Sequence, residues 1–183
     1  MFTTLATGPW LPEQVQMERV SSTRRIIPEV EEKVAEAWLI GLACTPMLFD
    51  GPMCRMESFT VSGGALDLRI SPTSYRIFYG TNLSHPEFHD RFGPETLANP
   101  IGLSAAVLTT DGFLIFGRRN SSVAYYPNRT HPIAGALEPS DRDPFSGIRR
   151  EICEELRLMP DDVLSPSLLG MVSDQRLHQP ELI

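Results

Sequence analysis

Three glutamates and one arginine between positions 150 and 155 are the residues of this sequence best suited to chemistry. Glu151, Glu154 and Glu155 are spaced i, i+3 and i+4, so on a helix their carboxylates project from one face. Three like charges repel, and Mg²⁺, which is held by carboxylates, waters and substrate phosphates, removes that repulsion. Arg150 can pair with a neighbouring carboxylate and fix its orientation. The alternative is a solvated acidic face, the usual explanation of an isolated charge cluster.

A helix from Asp143 to Leu158 is predicted to carry this acidic cluster. Asp143 is suited to the N-cap and Pro144 to the first helical position. Apolar residues recur at helical spacing and form a stripe on the other face. The stripe consists of Phe145, Ile148, Ile152 and Leu156. The apolar face therefore packs on the protein, and the carboxylates face outward.

Strands are predicted on both sides of this helix. Two apolar runs, at about 102 to 109 and 113 to 119, are joined at Asp111-Gly112, a dipeptide that readily adopts the positive φ angles of a hairpin turn. The residues from Ser167 to Asp174 form a further strand candidate, and "PELI" at the end of the sequence begins to look extended. The acidic helix is thus expected to lie against a sheet.

Three regions are expected along the chain. Residues 1–27 are polar and rich in proline, without a clear period, and are interpreted as a leader that packs on a later element or stays mobile. Residues 28–98 form a small α+β extension, with an amphipathic helix from Pro28 to about Gly41, strands at 55–61 and 66–70, and a short helix after Ser74. Residues 99–183 form the core that contains the acidic helix.

Composition excludes several classes of protein. The chain has 183 residues, 42% of them hydrophobic, and a net charge of −7, which argues against a general nucleic-acid binder. The longest apolar stretch, residues 37–44, is far shorter than a membrane span of about 20 residues. Three cysteines, Cys44, Cys54 and Cys153, are odd in number and not at metal-ligand spacing. We therefore expect a cytoplasmic protein with reduced thiols, and no membrane partner.

The acidic helix and the glycine loop before it resemble the signature of the Nudix hydrolase superfamily. The matching residues are Gly135, then Arg150-Glu151-Ile152, Glu154-Glu155 and Leu158. Three positions depart from the signature. Asp141 stands where the family has its first glutamate, the spacer from Asp141 to Arg150 has eight residues instead of seven, and Arg157 replaces a glycine near the helix end.

The resemblance implies roles for the matched residues. In the family, the glutamates corresponding to Glu151, Glu154 and Glu155 bind Mg²⁺ or Mn²⁺, and Arg150 orients Glu151. The loop at Gly135 often adds a backbone carbonyl to the metal shell. The implied catalytic residues are Glu151 and Arg150.

Segments outside the signature are similar to the Nudix branch that hydrolyses UDP-glucose and UDP-galactose. These segments are "MLFDGP" from position 47, "TSYRIFYGTN" from position 73 and "LANPIGLSAAVLTTDGFLIFGRR" from position 97. The implied reaction is Mg²⁺-dependent cleavage of a nucleotide sugar to UMP and a sugar 1-phosphate. Arg118 and Arg119 are candidates to bind the diphosphate, and Tyr75 and Asn82 to contact the uracil or sugar. Each of the four also has an ordinary structural explanation.

The expected fold is α/β (α+β), a Nudix-like mixed sheet with the acidic helix packed against it. The family core is longer than the residues after Leu97, so the resemblance implies further strands, a final helix and often another carboxylate beyond Ile183, and an open apolar edge at "PELI". Nudix enzymes are often homodimers, and the sequence leaves this open. Two alternatives to the diphosphatase are a Nudix-fold module that binds nucleotide sugars without turnover, and a structural protein whose acidic helix is merely solvated.

Overall fold

The computed structural model describes residues 2–45, 47–120, 128–164 and 166–183. It is a mixed α/β structure, as predicted. The strands are β1 (Phe2–Trp10), β2 (Val15–Arg19), β3 (Pro52–Ser62), β4 (Ala65–Ser74), β5 (Gly102–Ala105), β6 (Val107–Leu108), β7 (Leu114–Ile115), β8 (Gly117–Arg118), β9 (Thr130–His131), β10 (Ile133–Ala136), β11 (Leu168–Asp174) and β12 (Gln179–Leu182). The helices are α1 (Pro28–Cys44), α2 (Tyr75–Phe78), α3 (Phe88–Phe92) and α4 (Pro144–Leu156).

The larger sheet has five strands, in the order β1-β11-β12-β5-β10. Strands β12 and β5 are parallel, and the other neighbours are antiparallel. The apolar stripe of α4 packs against this sheet, with Ile148 and Ile152 buried beside Leu103 and Ile133. The expectation of an open edge at "PELI" is wrong, because β12 lies between β11 and β5.

A second sheet, in the order β2-β4-β3, lies in the N-terminal half. Strands β3 and β4 confirm the two predicted strands and form an antiparallel hairpin, with Gly63 (φ 57°) and Gly64 (φ 80°) at its turn. Both residues adopt the left-handed conformation that glycine tolerates without a steric penalty. The core residues Leu66, Leu68 and Ile70 of β4 belong to the same buried cluster as the residues under α4, so the two sheets share one core.

Helix α1 confirms the predicted helix from Pro28 and continues three residues past Gly41. Its buried residues Val30 and Val34 pack with Phe88 and Leu97. The helix predicted after Ser74 is also present: α2 is followed by a π-helical turn over residues 79–83. Within the described part of the chain, no helix is long and apolar enough to cross a membrane.

Residues 2–19 contain two strands that the sequence analysis did not predict. Strand β1 pairs antiparallel with β11, and β2 pairs in parallel with β4. The leader therefore packs on later elements, which was one of the two expected outcomes. The predicted hairpin at Asp111-Gly112 is present, with Gly112 at φ 89°, but each of its strands is broken into two short pieces.

Candidate functional site

Helix α4 begins directly after the predicted N-cap Asp143 and ends at Leu156, two residues before the predicted end at Leu158. The Asp143 carboxylate accepts a hydrogen bond from the Ser146 amide at 2.7 Å, which satisfies one of the free amides of the first turn. At the other end Arg157 adopts φ 56° and ψ 39°, and its amide donates to the Cys153 carbonyl. The backbone thus keeps the left-handed C-cap of the signature glycine. Arginine adopts this conformation at a steric cost, because it carries a Cβ atom.

Strand β10 brings Gly135 directly against the acidic face of α4. A Cβ atom at position 135 would lie 2.0 Å from the Glu151 carboxyl carbon, so any side chain there would displace the carboxylate. Gly135 pairs with Leu103 of β5, which fixes its place in the sheet. The glycine is therefore required by the close approach of Glu151, and the two residues that the signature separates in sequence form one wall of the site.

The side chain of Arg150 connects the loop after β10 to Glu151. Its Nε and Nη2 atoms donate to the two Asp141 carboxylate oxygens, at 3.1 and 3.0 Å, in a bidentate pair. Nη1 donates to Glu151 Oε1 at 2.8 Å, and Nη2 also donates to the Ala136 carbonyl at 3.1 Å. Asp141 is almost fully buried. The aspartate that replaces the first signature glutamate therefore anchors Arg150.

Burial and the charge of Arg150 shift the pKa of Glu151 in opposite directions. Hydrogen bonding to Asp141 and then to Glu151 raises the pKa of the Arg150 guanidinium. Burial raises the pKa of Glu151 above its usual value, and Arg150 opposes that shift without cancelling it. Glu154 and Glu155 raise it further by like-charge repulsion. The site is thus one in which added positive charge would be stabilising.

Glu154 and Glu155 lie on the open side of the helix. Glu154 is exposed and its Oε2 lies 3.7 Å from Arg150 Nη1. Glu155 is exposed as well; partial desolvation raises its pKa, while the charges of His131 and Arg119 lower it. Thus Arg119, directly after β8, and His131 of β9 act electrostatically on the acidic face.

The described residues include no group of three carboxylate, histidine or cysteine side chains arranged closely enough to hold a metal ion. The Glu151 carboxylate is instead directed at Arg150. The donor chemistry still suits a hard divalent cation, because the acidic face offers carboxylate oxygens and the carboxylate of Glu151 lies close to the backbone of Gly135, where a Cβ atom would be. The carboxylates of this face are therefore the type of ligand that Mg²⁺ prefers.

The predicted substrate residues fall in different surroundings. Arg119 lies near Glu155, while Arg118, its neighbour on β8, is exposed. Asn82 is completely buried, donates to the Leu177 carbonyl at 2.7 Å and accepts from the Ala98 amide at 3.0 Å. The side-chain amide of Asn82 is therefore already hydrogen-bonded to the protein's own backbone.

Tyr75 is half-buried and packs edge-on against Trp38, with ring centroids 6.4 Å apart. It also packs against the cluster of Met53 and Phe78, which Ala136 contacts from the site side. Tyr75 thus lies one packing layer from the strand that carries Gly135.

Sequence reasoning missed two features of the site. Nothing in the sequence assigned His131 to the site, although in β9 its charge acts on Glu155. Its cross-strand partner is Gly117, where a Cβ would lie 3.2 Å from His131 Nε2. Glu138, with Oε1 3.8 Å from Arg150 Nη1, is the second. The alternation of β8 and β9 could have indicated His131, but Glu138 lies in a loop without a period.

Known proteins resemble this chain along most of its length. It is 33% identical to the human uridine diphosphate glucose pyrophosphatase NUDT22, over 92% of this chain and 66% of that protein. It is 31% identical to the bovine protein of the same name, over 90% of this chain and 68% of that protein. Nudix hydrolase 9 of Arabidopsis thaliana is 24% identical over 87% of the chain. The chain spans about two thirds of the length of these relatives.

No family model matches the chain. Two relatives above 30% identity, matched over about nine tenths of this chain, nevertheless show its family. The chain belongs to the Nudix hydrolase family. Within that family its matched relatives carry the name of UDP-glucose pyrophosphatases.

Proposed function

We propose that this protein is a Mg²⁺-dependent diphosphatase that hydrolyses UDP-glucose or UDP-galactose. One water is consumed, the phosphoric anhydride bond is broken, and UMP and a sugar 1-phosphate are released. The observation that supports the proposal best is the contact of the Glu151 carboxylate with Gly135 while Arg150 holds it from the other side. The names of the relatives supply the substrate class.

Glu151, Glu154 and Glu155, with the backbone carbonyl of Gly135, are the residues that would hold Mg²⁺ or Mn²⁺. The ion, when bound, would lower the pKa of water and neutralise charge on the phosphoryl oxygens. The raised pKa of Glu151 and of Glu155 is consistent with such a role, because both carboxylates lie where an added cation is favourable. A carboxylate ligand must be deprotonated, so the affinity for the ion is expected to fall at low pH.

The protein's own groups then have distinct tasks. Arg150 fixes the direction of the Glu151 carboxylate and is itself held by Asp141. Arg119 and His131, whose charges act on Glu155, would contact phosphate oxygens of a substrate that lies on the acidic face. Arg118, Tyr75 and Asn82 remain predicted substrate residues by resemblance.

The proposal is tested by incubating the protein with UDP-glucose and MgCl₂ and following UMP and glucose 1-phosphate by ³¹P NMR. We expect both products, no product with EDTA, and a loss of about 100-fold or more with Glu155→Gln. Glu32→Gln, an exposed glutamate on α1, is the matched control and should retain full activity. Running the reaction in ¹⁸O-labelled water identifies the phosphorus that water attacks, since the label appears in only one product.

A second candidate function is a nucleotide-sugar binding module without turnover. It is favoured by one observation, namely that Glu151 is paired with Arg150 and the described residues contain no assembled metal-binding group. Saturable binding of UDP-glucose with no product in the presence of Mg²⁺ or Mn²⁺ would support this function and contradict the diphosphatase. Hydrolysis of ADP-ribose as fast as of UDP-glucose would instead leave the diphosphatase and remove the substrate.

A further inference from the structure

The segment between strand β10 and helix α4 is held at both ends by the N-terminal sheet. Near its start, the Cys54 amide of β3 donates to the Leu137 carbonyl at 2.8 Å. Near its end, Nη2 of Arg19 in β2 donates to the Asp141 carbonyl at 2.8 Å, across 122 positions of sequence. The loop that carries the Arg150 anchor is therefore fixed by residues far from the acidic helix in sequence.

Between these two points the segment forms a tight turn. The Asp141 amide donates to the Glu138 carbonyl at 3.0 Å, and the Glu138 amide donates to Asp141 Oδ2 at 2.8 Å. The direction of the Asp141 carboxylate therefore depends on its own backbone, and Arg19 holds the carbonyl of that same residue. A shift of this backbone moves the two oxygens that bind Arg150.

We propose that Arg19 is a positioning residue, which acts through the Asp141 backbone on Arg150 and thereby on the Glu151 carboxylate. The inference rests on the proposed function, because it assigns Arg19 to the site of that reaction. The N-terminal strand β2 is then part of the catalytic apparatus. A displacement of about 1 Å at a supporting residue is enough to cost a factor of about 100 in rate, so such a contact can be functional although Arg19 touches no substrate.

A comparison with Arg69 distinguishes a positioning role of Arg19 from a general contribution to the stability of the sheet. Burial raises the pKa of the Cys54 thiol, and the charge of Arg19 opposes that rise. Arg69, on the neighbouring strand β4, is exposed as Arg19 is, but its guanidinium pairs with Glu18 at 3.1 Å instead of with the loop. Arg19 and Arg69 belong to the same sheet, but only Arg19 is hydrogen-bonded to the loop, so Arg69 serves as the matched control.

The test measures the Arg150 guanidinium directly. The Nε–H group of Arg150 donates to Asp141 Oδ1, so its ¹H–¹⁵N signal should exchange slowly with water; the signal is assigned by its loss in Arg150→Lys. We expect Arg19→Gln to speed this exchange about fivefold to tenfold, the effect of losing one hydrogen bond, and Arg69→Gln to leave it unchanged. Arg19→Lys keeps a donor for the carbonyl and should restore at least half of the protection.

Activity provides the second measurement. With UDP-glucose, Arg19→Gln should lower kcat severalfold while KM changes less than twofold, and Arg69→Gln should change neither. Equal exchange rates in Arg19→Gln and Arg69→Gln, or no rescue by Arg19→Lys, would overturn the inference even if the enzyme is active. If the unmodified protein releases no UMP, the proposed function fails, and the exchange rates alone decide whether Arg19 positions Arg150.

Discussion

The Glu151 carboxylate lies where a Cβ atom of residue 135 would be, so it can take this position only because residue 135 is a glycine. A side chain at 135 would push the carboxylate away from β10 and from the Gly135 carbonyl. This relation defines the inner wall of the acidic site and leads to the first prediction.

Gly135→Ala should abolish the site while leaving the fold intact. The added methyl group displaces Glu151, so we expect the affinity for Mn²⁺, measured by the electron paramagnetic resonance of free Mn²⁺, to fall at least about tenfold. Gly102→Ala on the paired strand is the control, because its Cβ meets mainly flexible side-chain atoms of Gln179 and Glu181 at 3.3 Å or more. Equal effects of the two substitutions would contradict the assigned role of Gly135.

Asp141→Asn should destabilise the protein as well as impair it. The change removes the buried charge that holds Arg150 in a bidentate pair, and we expect the free energy of unfolding to drop by about 1–3 kcal/mol in urea titrations. Asp67→Asn, on the exposed face of β4, should change it by less than about 0.5 kcal/mol. An Asp141→Asn variant as stable as the unmodified protein would show that Arg150 does not depend on this anchor.

Glu155→Gln should stabilise the protein at neutral pH in the absence of metal. The pKa of Glu155 is raised in the folded state, so the folded protein binds this proton more tightly than the unfolded chain does. The ionised form therefore costs stability, and that cost appears as pH rises from the ordinary value of 4.5 through the raised one.

We accordingly expect the Tm of Glu155→Gln to exceed that of the unmodified protein at pH 7, with the difference shrinking toward zero below pH 4.5. Adding MgCl₂ should raise the Tm of the unmodified protein more than that of the variant. Differential scanning fluorimetry across pH provides the measurement. A Tm difference independent of pH would mean that Glu155 titrates at its ordinary value in the folded state.

Arg157→Gly should stabilise helix α4. Arg157 has φ 56°, a conformation that costs a side-chain-bearing residue about 1–2 kcal/mol and glycine almost nothing. Because glycine also loses more backbone entropy on folding, we expect a net gain of up to about 1 kcal/mol in urea titrations. Arg157→Ala keeps the Cβ atom and should give no gain. A gain of the same size from alanine would trace the effect to the arginine side chain instead of the backbone.

The sequence predicted the parts of the site that follow a helical period. Asp143, Pro144 and the apolar stripe determined where α4 begins and which face it buries, and the structure confirms both. The contact of Asp141 with Arg150 could not be predicted, because it depends on a loop whose path is set by Arg19 and Cys54. Such long-range contacts leave no local pattern.

The strands of the N-terminal region show the same limit. Strand β1 contains Gly8 and Pro9, which argue against a strand when read locally, yet it pairs with β11 on both sides of a register shift at these two residues. Its residues are mostly exposed at the edge of the sheet, so they need no alternation of apolar and polar side chains. Pairing with a distant strand stabilised an element that its own residues do not predict.

The pairing of β1 with β11 also has a consequence for how this protein is made. Residues 2–10 leave the ribosome well before their partner strand, residues 168–174, which is synthesised more than 150 residues later. At about 5–20 residues per second, β1 waits on the order of ten seconds or longer before it can pair. Its unpaired edge is open to other nascent chains throughout that time, so chaperone demand should depend on translation speed. Slow codons before β11 would prolong the exposure, and rapid synthesis would shorten it.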